Sequence, residues 1–303
     1  MAFSIFSSKR KKSIWHYRKA YLFILPSLAL FFFFFLFPII YSAYLSTTNA
    51  SFFNLIRGFE SVGAANYEKL LFEGEFYLPL LRTGLFMSTS VFLKVSVGLL
   101  FAALFTSALI KFKRVLFPLI LIPWAVPWFL SVSIWKGMFS QDFGAINQAL
   151  QSIGLPAVNW LNNTWNAFIA YNVVEVWLVY PFMMSVLVAA IMSIPPALHE
   201  SAIMDGASSW NRFRHVTLPL IKKPLLWATL MTTIASYMIF GVPFLLNLGG
   251  PAGSNEFLMV YGYKKAFFLG RYGFAAAFMM IVFAILAILV VLYSKKTKMI
   301  EEE

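Results

Sequence analysis

Long apolar stretches separated by shorter polar ones run along the whole chain. Six intervals that hold almost no charged residue are each long enough for a bilayer-spanning helix, which needs roughly 20 residues. They lie near residues 21–46, 83–110, 115–138, 166–194, 223–246 and 272–293. The pattern predicts an all-α integral membrane protein with six transmembrane helices.

The domain organisation follows from the same pattern. No repeat of fixed period and no low-complexity linker divides the sequence, so we expect one six-helix domain over residues 21–294. A basic segment, residues 1–20, precedes it, and a tail, residues 295–303, follows it. The first apolar run exceeds the 7–15 residues of a signal-peptide core. It is therefore interpreted as an uncleaved transmembrane helix.

Basic residues indicate the orientation. The chain has 24 Lys and Arg against 12 Asp and Glu. Sixteen of these 24 fall in segments 1–20, 111–114, 195–223 and 294–303, on one side of the predicted bundle. Because Lys and Arg concentrate in cytoplasmic loops, both termini are predicted to be cytoplasmic. The net charge of +12 then reflects membrane topology and not nucleic-acid binding.

Prolines and tryptophans mark the third interval and the outer boundaries. Pro118, Pro123 and Pro127 imply kinks in a helix packed among others, because the freed carbonyl groups need neighbours. Tryptophans near the outer boundaries are interpreted as an aromatic belt at the membrane interface. They are Trp128, Trp135, Trp160 and Trp165.

Groups suited to catalysis or metal binding are scarce. The sequence has no cysteine and only three histidines, all in predicted cytoplasmic segments. It lacks the G-x-x-x-x-G-K-[ST] phosphate loop and the G-x-S-x-G and H-E-x-x-H motifs. We therefore expect no enzymatic activity and no cofactor bound by this chain.

A polar segment at residues 195–222 separates the fourth and fifth spans. The two prolines at its start favour a new short helix, ending near Asp205. Gly206 predicts a break with a left-handed backbone. A second short helix is expected to begin near Ser208, whose hydroxyl, or that of Ser209, would cap it.

Two interpretations of this segment are open. It is either an amphipathic hairpin lying among lipid headgroups or a docking site for another protein. Trp210 and Arg214 suit the hairpin. Glu200 and Asp205 would be repelled by anionic headgroups, and the small residues around them allow another protein to approach closely. The residues favour docking.

The same segment resembles the EAA loop of ABC-importer permeases. That pattern is E-A-A, three residues, glycine, nine residues and I-x-L-P. Here Glu200-Ser201-Ala202, Gly206 and Val216-Thr217-Leu218-Pro219 keep the spacing, with Ser201 and Val216 as mild substitutions. Further stretches resemble the carbohydrate branch, in particular its maltose-type "F" permeases. They are Tyr21–Pro26, Phe37-Pro38, Gly63–Tyr67, Trp177–Phe182, Ser193–Pro195, Gly249–Pro251 and Gly273–Ala277.

The resemblance implies partners in the cell membrane. In that family two permease subunits form the pathway, and a dimer of separate cytoplasmic ATPases binds ATP and Mg. An extracellular binding protein delivers a sugar, here with residues 140–165 and Gly249–Pro251 as its expected contacts. The residues implied to couple the permease to the ATPase are Glu200, Ser201, Ala202, Asp205 and Gly206.

Two charged residues fall inside predicted spans, Lys94 in the second and Glu175 in the fourth. A charge at the bilayer centre costs roughly 2.5–3.5 kcal/mol, so each is expected to face protein or an aqueous cavity. Either they form a structural pair, or Glu175 lines the permeation path. The substrate contacts implied by the resemblance are Glu175, Leu178, Val179, Phe182, Thr232 and Ser236. Ala235 and Ile239 fall at matching positions but are apolar where polar or aromatic groups are expected.

Three functions remain open from the sequence. The first is a permease subunit of an ATP-driven importer for a sugar or oligosaccharide. The second changes the cargo to another polar solute such as glycerol phosphate, for which Lys94 is the only cationic candidate within the spans. The third is a secondary carrier that uses Glu175 as a proton relay, which would have no need for an EAA loop.

Overall fold

The computed structural model describes residues 18–107 and 110–297. Its regular elements are helices, and one isolated bridge pairs Thr48 with Ser61. The predictions for residues 1–17, 108–109 and 298–303 lie outside the described part of the chain.

Sixteen α-helices follow one another along the described residues. They are α1 Arg18–Phe31, α2 Phe37–Ser46, α3 Ala65–Phe72, α4 Tyr77–Thr106, α5 Lys113–Ile120, α6 Ile122–Ala125, α7 Trp128–Met138, α8 Ala145–Ser152, α9 Thr164–Met192, α10 Pro196–Met204, α11 Ser209–Arg212, α12 Leu218–Leu220, α13 Lys222–Tyr237, α14 Gly241–Asn247, α15 Leu258–Tyr263 and α16 Tyr272–Thr297. Three five-residue π-helical turns, Phe32–Leu36, Phe213–Thr217 and Lys264–Phe268, continue α1, α11 and α15.

Five helical segments in the described residues are long and apolar enough to cross a membrane. They are Tyr21–Ser46, Tyr77–Thr106, Thr164–Met192, Lys222–Asn247 and Tyr272–Thr297. These five correspond to the predicted spans one, two, four, five and six. The chain is thus an all-helical membrane protein.

The predicted third span is not one continuous helix. Its residues form α5, α6 and α7, of which the longest has 11 residues. Pro123 cannot donate the hydrogen bond that would continue α5, and Pro127 holds Val126 in an extended conformation with ψ 132°. The prolines therefore break the segment where the sequence predicted kinks.

The centre of the bundle consists of α4, α9 and α13. Helix α4 packs along α9, and α13 contacts both. Helix α16 packs against α2 and α13. Buried side chains fill these contacts, including Phe86 on α4 and Tyr171 and Met184 on α9. By contrast, no described side chain of α1 is buried.

The two ends of the bundle are formed by different segments of the chain. We call the end with residues 193–221 the loop end. There the side chain of Lys113 donates to the carbonyl oxygen of Thr106 (3.2 Å), and Tyr293 donates to that of Leu226 (2.9 Å). The opposite end holds residues 47–76, 139–163 and 248–271.

Candidate functional site

The polar segment forms a helix-turn-helix unit at the loop end. Helix α10 ends at Met204, and Gly206 takes a left-handed φ of +77°. The amide of Ala207 donates to the carbonyl oxygen of Ala202 at 2.9 Å, which closes the helix as a glycine C-terminal motif does. A residue with a side chain at position 206 would be strained in this conformation. The predicted break at Gly206 is confirmed.

The second half of the unit begins at Ser208. Its hydroxyl oxygen accepts a hydrogen bond from the amide of Asn211 at 3.2 Å and so caps α11. Trp210 stacks on Phe213, with ring centroids 5.8 Å apart. The expected second helix is present as α11, a π-helical turn to Thr217, and α12.

The implied coupling residues lie on the free surface of this unit. Glu200, Ser201, Asp205 and Gly206 are exposed, Ala202 is half-buried, and no residue of α10 is buried. Large apolar side chains are exposed beside them, including Ile203 (53%), Met204 (87%) and Trp210 (64%). The unit thus offers a mixed apolar and acidic surface that the chain itself does not cover.

The buried residues of the unit lie at its two bases. Ile194 lies at one base, and Thr217 and Ile221 lie at the other; all three are buried. The first base continues from α9 and the second leads into α13. The polar unit is therefore connected along the chain to two helices of the bundle centre.

A charged cluster joins the three central helices. The ammonium group of Lys94 on α4 lies 2.7 Å from Oε2 of Glu175 on α9. It also donates to the hydroxyl of Ser236 on α13, at 3.0 Å. Lys94 is fully buried, and the side chain of Glu175 is 14% exposed. A buried ammonium and carboxylate in contact compensate each other's lost hydration.

Beside this cluster lies a cavity of about 620 Å³. One wall carries Glu175, Leu178 and Val179 from α9. The other walls come from the breaks in two discontinuous helical segments, residues 123–128 and residues 238–242. Glu175 therefore belongs both to the ion pair and to a cavity wall.

The two helix breaks touch each other at Gly241. A Cβ atom added at Gly241 would lie 2.4 Å from Cζ3 of Trp128. Only glycine leaves room for the indole ring at this point. Trp128 lines the cavity with Trp124 and Phe240, so the lining combines aromatic rings with the carboxylate of Glu175.

The structure places the implied substrate residues in two groups. Glu175, Leu178 and Val179 line the cavity, as do Ala235 and Ile239. Phe182 packs against Trp124, with centroids 6.0 Å apart, outside the lining. Thr232 is buried and donates to the carbonyl oxygen of Ala228 (2.8 Å), and Ser236 lies behind the cavity as the acceptor from Lys94.

Sequence reasoning missed the aromatic wall. Trp128 was predicted to lie in an interfacial belt, and the structure additionally places it in the cavity lining against Gly241. Trp160 is half-buried and donates to the side-chain oxygen of Asn147 at 3.0 Å. A signal was present in the third interval, where the pairs Pro123-Trp124 and Pro127-Trp128 recur four residues apart. Each proline breaks the helix, and the tryptophan that follows it lines the cavity beside the break.

A larger cavity, of about 1040 Å³, separates the polar unit from the bundle at the loop end. Leu99 and Ala103 of α4 line one side, and His199, Glu200 and Arg212 line the other. In the described residues, no group of three or more His, Asp or Glu side chains could hold a metal ion.

Comparison with known proteins identifies the family. Residues 94–297 match the family described as "Binding-protein-dependent transport system inner membrane component", which covers more than half of the chain. The chain belongs to this family. The match takes in both the Lys94–Glu175 cluster and the polar unit, and it leaves α1 to α3 outside.

Relatives of this permease-family chain extend the likeness toward its N-terminus. The "Trehalose/maltose transport system permease protein MalF" of Thermococcus litoralis is 34% identical over 282 residues, 92% of this chain and 94% of the relative. A "probable ABC transporter permease protein" of Brucella suis is 30% identical over 279 residues, 90% and 94% of the two chains. The MalF protein of Escherichia coli K12 is 34% identical over 228 residues, 72% of this chain but 44% of that longer one.

Solved structures agree on the fold. A chain of a bacterial ABC transporter "involved in the import of the acidic polysaccharide alginate" superposes with a TM-score of 0.80. It is 22% identical and covers 95% of this chain and 98% of its own length. A chain of the MetNI methionine transporter gives a TM-score of 0.51 at 19% identity, over 74% and 94% of the two chains. At these identities the likeness establishes the fold.

Proposed function

We propose that this chain is the permease subunit of an ATP-driven ABC importer that carries a sugar or oligosaccharide across the cell membrane. The main observation behind the proposal is the exposed helix α10. A short helix with no buried residue is available to bind another protein. Family membership and the names of the sugar-transport relatives support the cargo class. ATP and Mg would bind to a separate ATPase dimer.

The proposed topology has six crossings within a single domain, residues 21–294. The three helices α5 to α7 together make the third crossing. Residues 195–222 and both termini face the cytoplasm, which is supported by the sixteen Lys and Arg assigned to that side. The opposite end then faces the binding protein, with residues 140–165 and Gly249–Pro251 as proposed contacts.

The proposed coupling runs from α10 to the cavity. An ATPase that holds Glu200, Ser201, Ala202, Asp205 and Gly206 moves the polar unit when it closes on ATP. The unit continues into α9 and α13, which carry Glu175 and Ala235 in the cavity walls. Movement at the loop end would thereby open or close the cavity, whose pathway a second permease subunit completes.

The proposed cargo site is the 620 Å³ cavity, a size within the roughly 300–1,000 Å³ range of small-molecule sites. Indole and phenyl faces suit the apolar faces of a sugar ring, and a carboxylate oxygen accepts hydrogen bonds from hydroxyl groups. Phe182, Thr232 and Ser236 would support this site from behind. A phosphate cargo finds no cationic residue among the described lining, because Lys94 lies behind Glu175.

The proposal is tested by reconstitution. The chain is co-expressed with candidate partner permease, ATPase and binding protein, and we expect co-purification and vanadate-sensitive sugar uptake in proteoliposomes. Uptake that needs no ATPase and follows a proton gradient would establish the secondary carrier instead. Glycerol phosphate serves as the competing cargo.

Gly206→Trp tests the coupling surface. The variant is expected to insert into the membrane but to lose uptake and to stop co-purifying with the ATPase. Its affinity for the ATPase should fall at least about tenfold. Gly58→Trp is the matched control, since both glycines have positive φ, +77° and +95°, with no atom within 4 Å of an added Cβ. Normal uptake by Gly206→Trp would refute the docking of this unit.

A further inference from the structure

Lys94 influences the cavity without lining it. Its side chain has no exposed surface, and its two recorded hydrogen bonds go to Glu175 and Ser236. A cargo molecule in the cavity would meet Glu175 and not the ammonium group behind it. Lys94 therefore acts on cargo through the carboxylate, as a positioning residue.

Glu175 is the one ionisable side chain among the described residues that line the cavity. Its oxygen Oε2 is held by Lys94 at 2.7 Å. Its other carboxylate oxygen has no hydrogen-bond partner recorded among the described residues. The pair thus fixes the carboxylate in one orientation and leaves one acceptor oxygen available to a hydroxyl group.

The charges of the pair cancel. The cavity wall carries one negative charge, and one positive charge lies immediately behind it. In a site of low dielectric constant, an uncompensated charge strongly attracts a counter-ion and repels a like charge. Removal of either partner would leave the cavity with a net charge, of opposite sign in the two cases.

We infer that Lys94 sets the cavity charge to zero and thereby selects uncharged polyhydroxylated cargo. Without Lys94 the cavity favours cations; without Glu175 it favours anions. This inference rests on the proposed sugar-import function and narrows its cargo to neutral sugars.

Three derivatives of maltose provide the probes. Maltitol, maltobionate and 1-amino-1-deoxymaltitol share one glucose ring and an opened second unit, and they are neutral, anionic and cationic. Their binding to the assembled importer in nanodiscs is measured by calorimetry, without the binding protein, so that only the membrane site discriminates. The wild type is expected to prefer maltitol.

Substitutions should shift this preference in opposite directions. Lys94→Met is expected to raise the affinity ratio of the cation to maltitol about tenfold, and Glu175→Gln to raise that of the anion by a similar factor. The double variant should return both ratios to near the wild-type values with weaker binding overall. Lys136→Met, whose lysine donates to the carbonyl oxygen of Leu245 away from this cluster, should change neither ratio.

Each outcome is decisive. Unchanged ratios in both single variants, with maltitol bound by the wild type, would overturn this inference and leave sugar import standing. A wild type that binds none of the probes would overturn this inference, while sugar import itself is decided separately by the uptake assay in proteoliposomes. If a single variant fails to assemble, the double variant decides, because uncharged replacement of a buried pair is tolerated. A double variant that prefers either ion would overturn the inference.

Discussion

At the loop end, α10 and α11 are held by hydrogen bonds between residues three to five positions apart, such as Ser208 with Asn211 and Ala202 with Ala207. At the opposite end, side chains tie together segments that are far apart in sequence. Glu75 accepts from Lys265 and Tyr261, and Arg82 donates to the carbonyl oxygen of Gly253 at 2.6 Å. The polar unit is thus held by local contacts, and the opposite end is held by contacts between distant segments of the chain.

Substitution of one asparagine at each end should give the largest difference between the two ends in the free energy of unfolding. Asn147 is buried; its amide nitrogen donates to the carbonyl oxygens of Gln141 and Val158, and its oxygen accepts from Val158 and Trp160. Asn147→Leu leaves these groups unpaired, at a cost of about 3 kcal/mol in the free energy of unfolding. The matched change Asn211→Leu, at an exposed position of the loop end, should cost less than about 0.5 kcal/mol. Denaturant titration of the purified protein measures both, and equal losses would contradict the contrast.

An intermediate effect is expected from the N-cap of α11. Ser208→Ala removes the acceptor for the amide of Asn211, which costs about 1 kcal/mol of local helix stability. ATPase affinity should fall about fivefold, while the global unfolding transition stays in place. Ser193→Ala is the control, since that hydroxyl only donates to the carbonyl oxygen of Ala190 in its own helix. A lowered unfolding midpoint in Ser208→Ala would show that hydrogen bonds at the loop end also contribute to global stability.

The smallest effect depends on pH. Partial burial acts to raise the pKa of Glu75, but hydrogen bonds from Lys265 and Tyr261 and the charges of Lys265 and Arg271 outweigh it, so the pKa lies below its ordinary value. At pH values above the ordinary pKa of glutamate, the ionised carboxylate stabilises the fold. This contribution disappears as the pH falls through the lowered pKa.

Glu75→Gln should therefore lower stability at pH 7 by about 0.5 kcal/mol, since the carboxylate is partly exposed. The difference from wild type should vanish in acid. The exposed Glu60, changed to Gln, is the control for general charge effects. Unfolding midpoints between pH 3 and 7 are measured, and a Glu75→Gln difference that persists in acid would disprove the assignment.

The sequence predicted the loop end well because its signals are local. Proline, glycine and serine act on the few residues around them, and the first short helix was expected to end near Asp205 and ends at Met204. Lys94 and Glu175 were expected to face protein or a cavity because a charge in lipid is costly. Five of six predicted spans correspond to long apolar helical segments.

The cavity could not be assembled from the sequence. Its walls come from three separate segments, and the meeting of Trp128 with Gly241 depends on packing across more than a hundred residues. A tryptophan near a helix end is equally typical of a membrane interface, so nothing in the sequence placed Trp128 in a cavity wall. The break at residues 238–240 has no proline within it and was not predicted.

The way the polar unit is attached makes it transplantable. Between Ser193 and Ile221 only Ile194 and Thr217 are buried, and neither lies on the surface assigned to coupling. Under the proposed function, a chimaera that joins the corresponding stretch of another permease at these two points would keep its own cargo while docking to the other transporter's ATPase. Recombination between related transporter genes could then pair a permease with a different ATPase by exchanging fewer than about thirty codons, because exposed segments usually tolerate replacement.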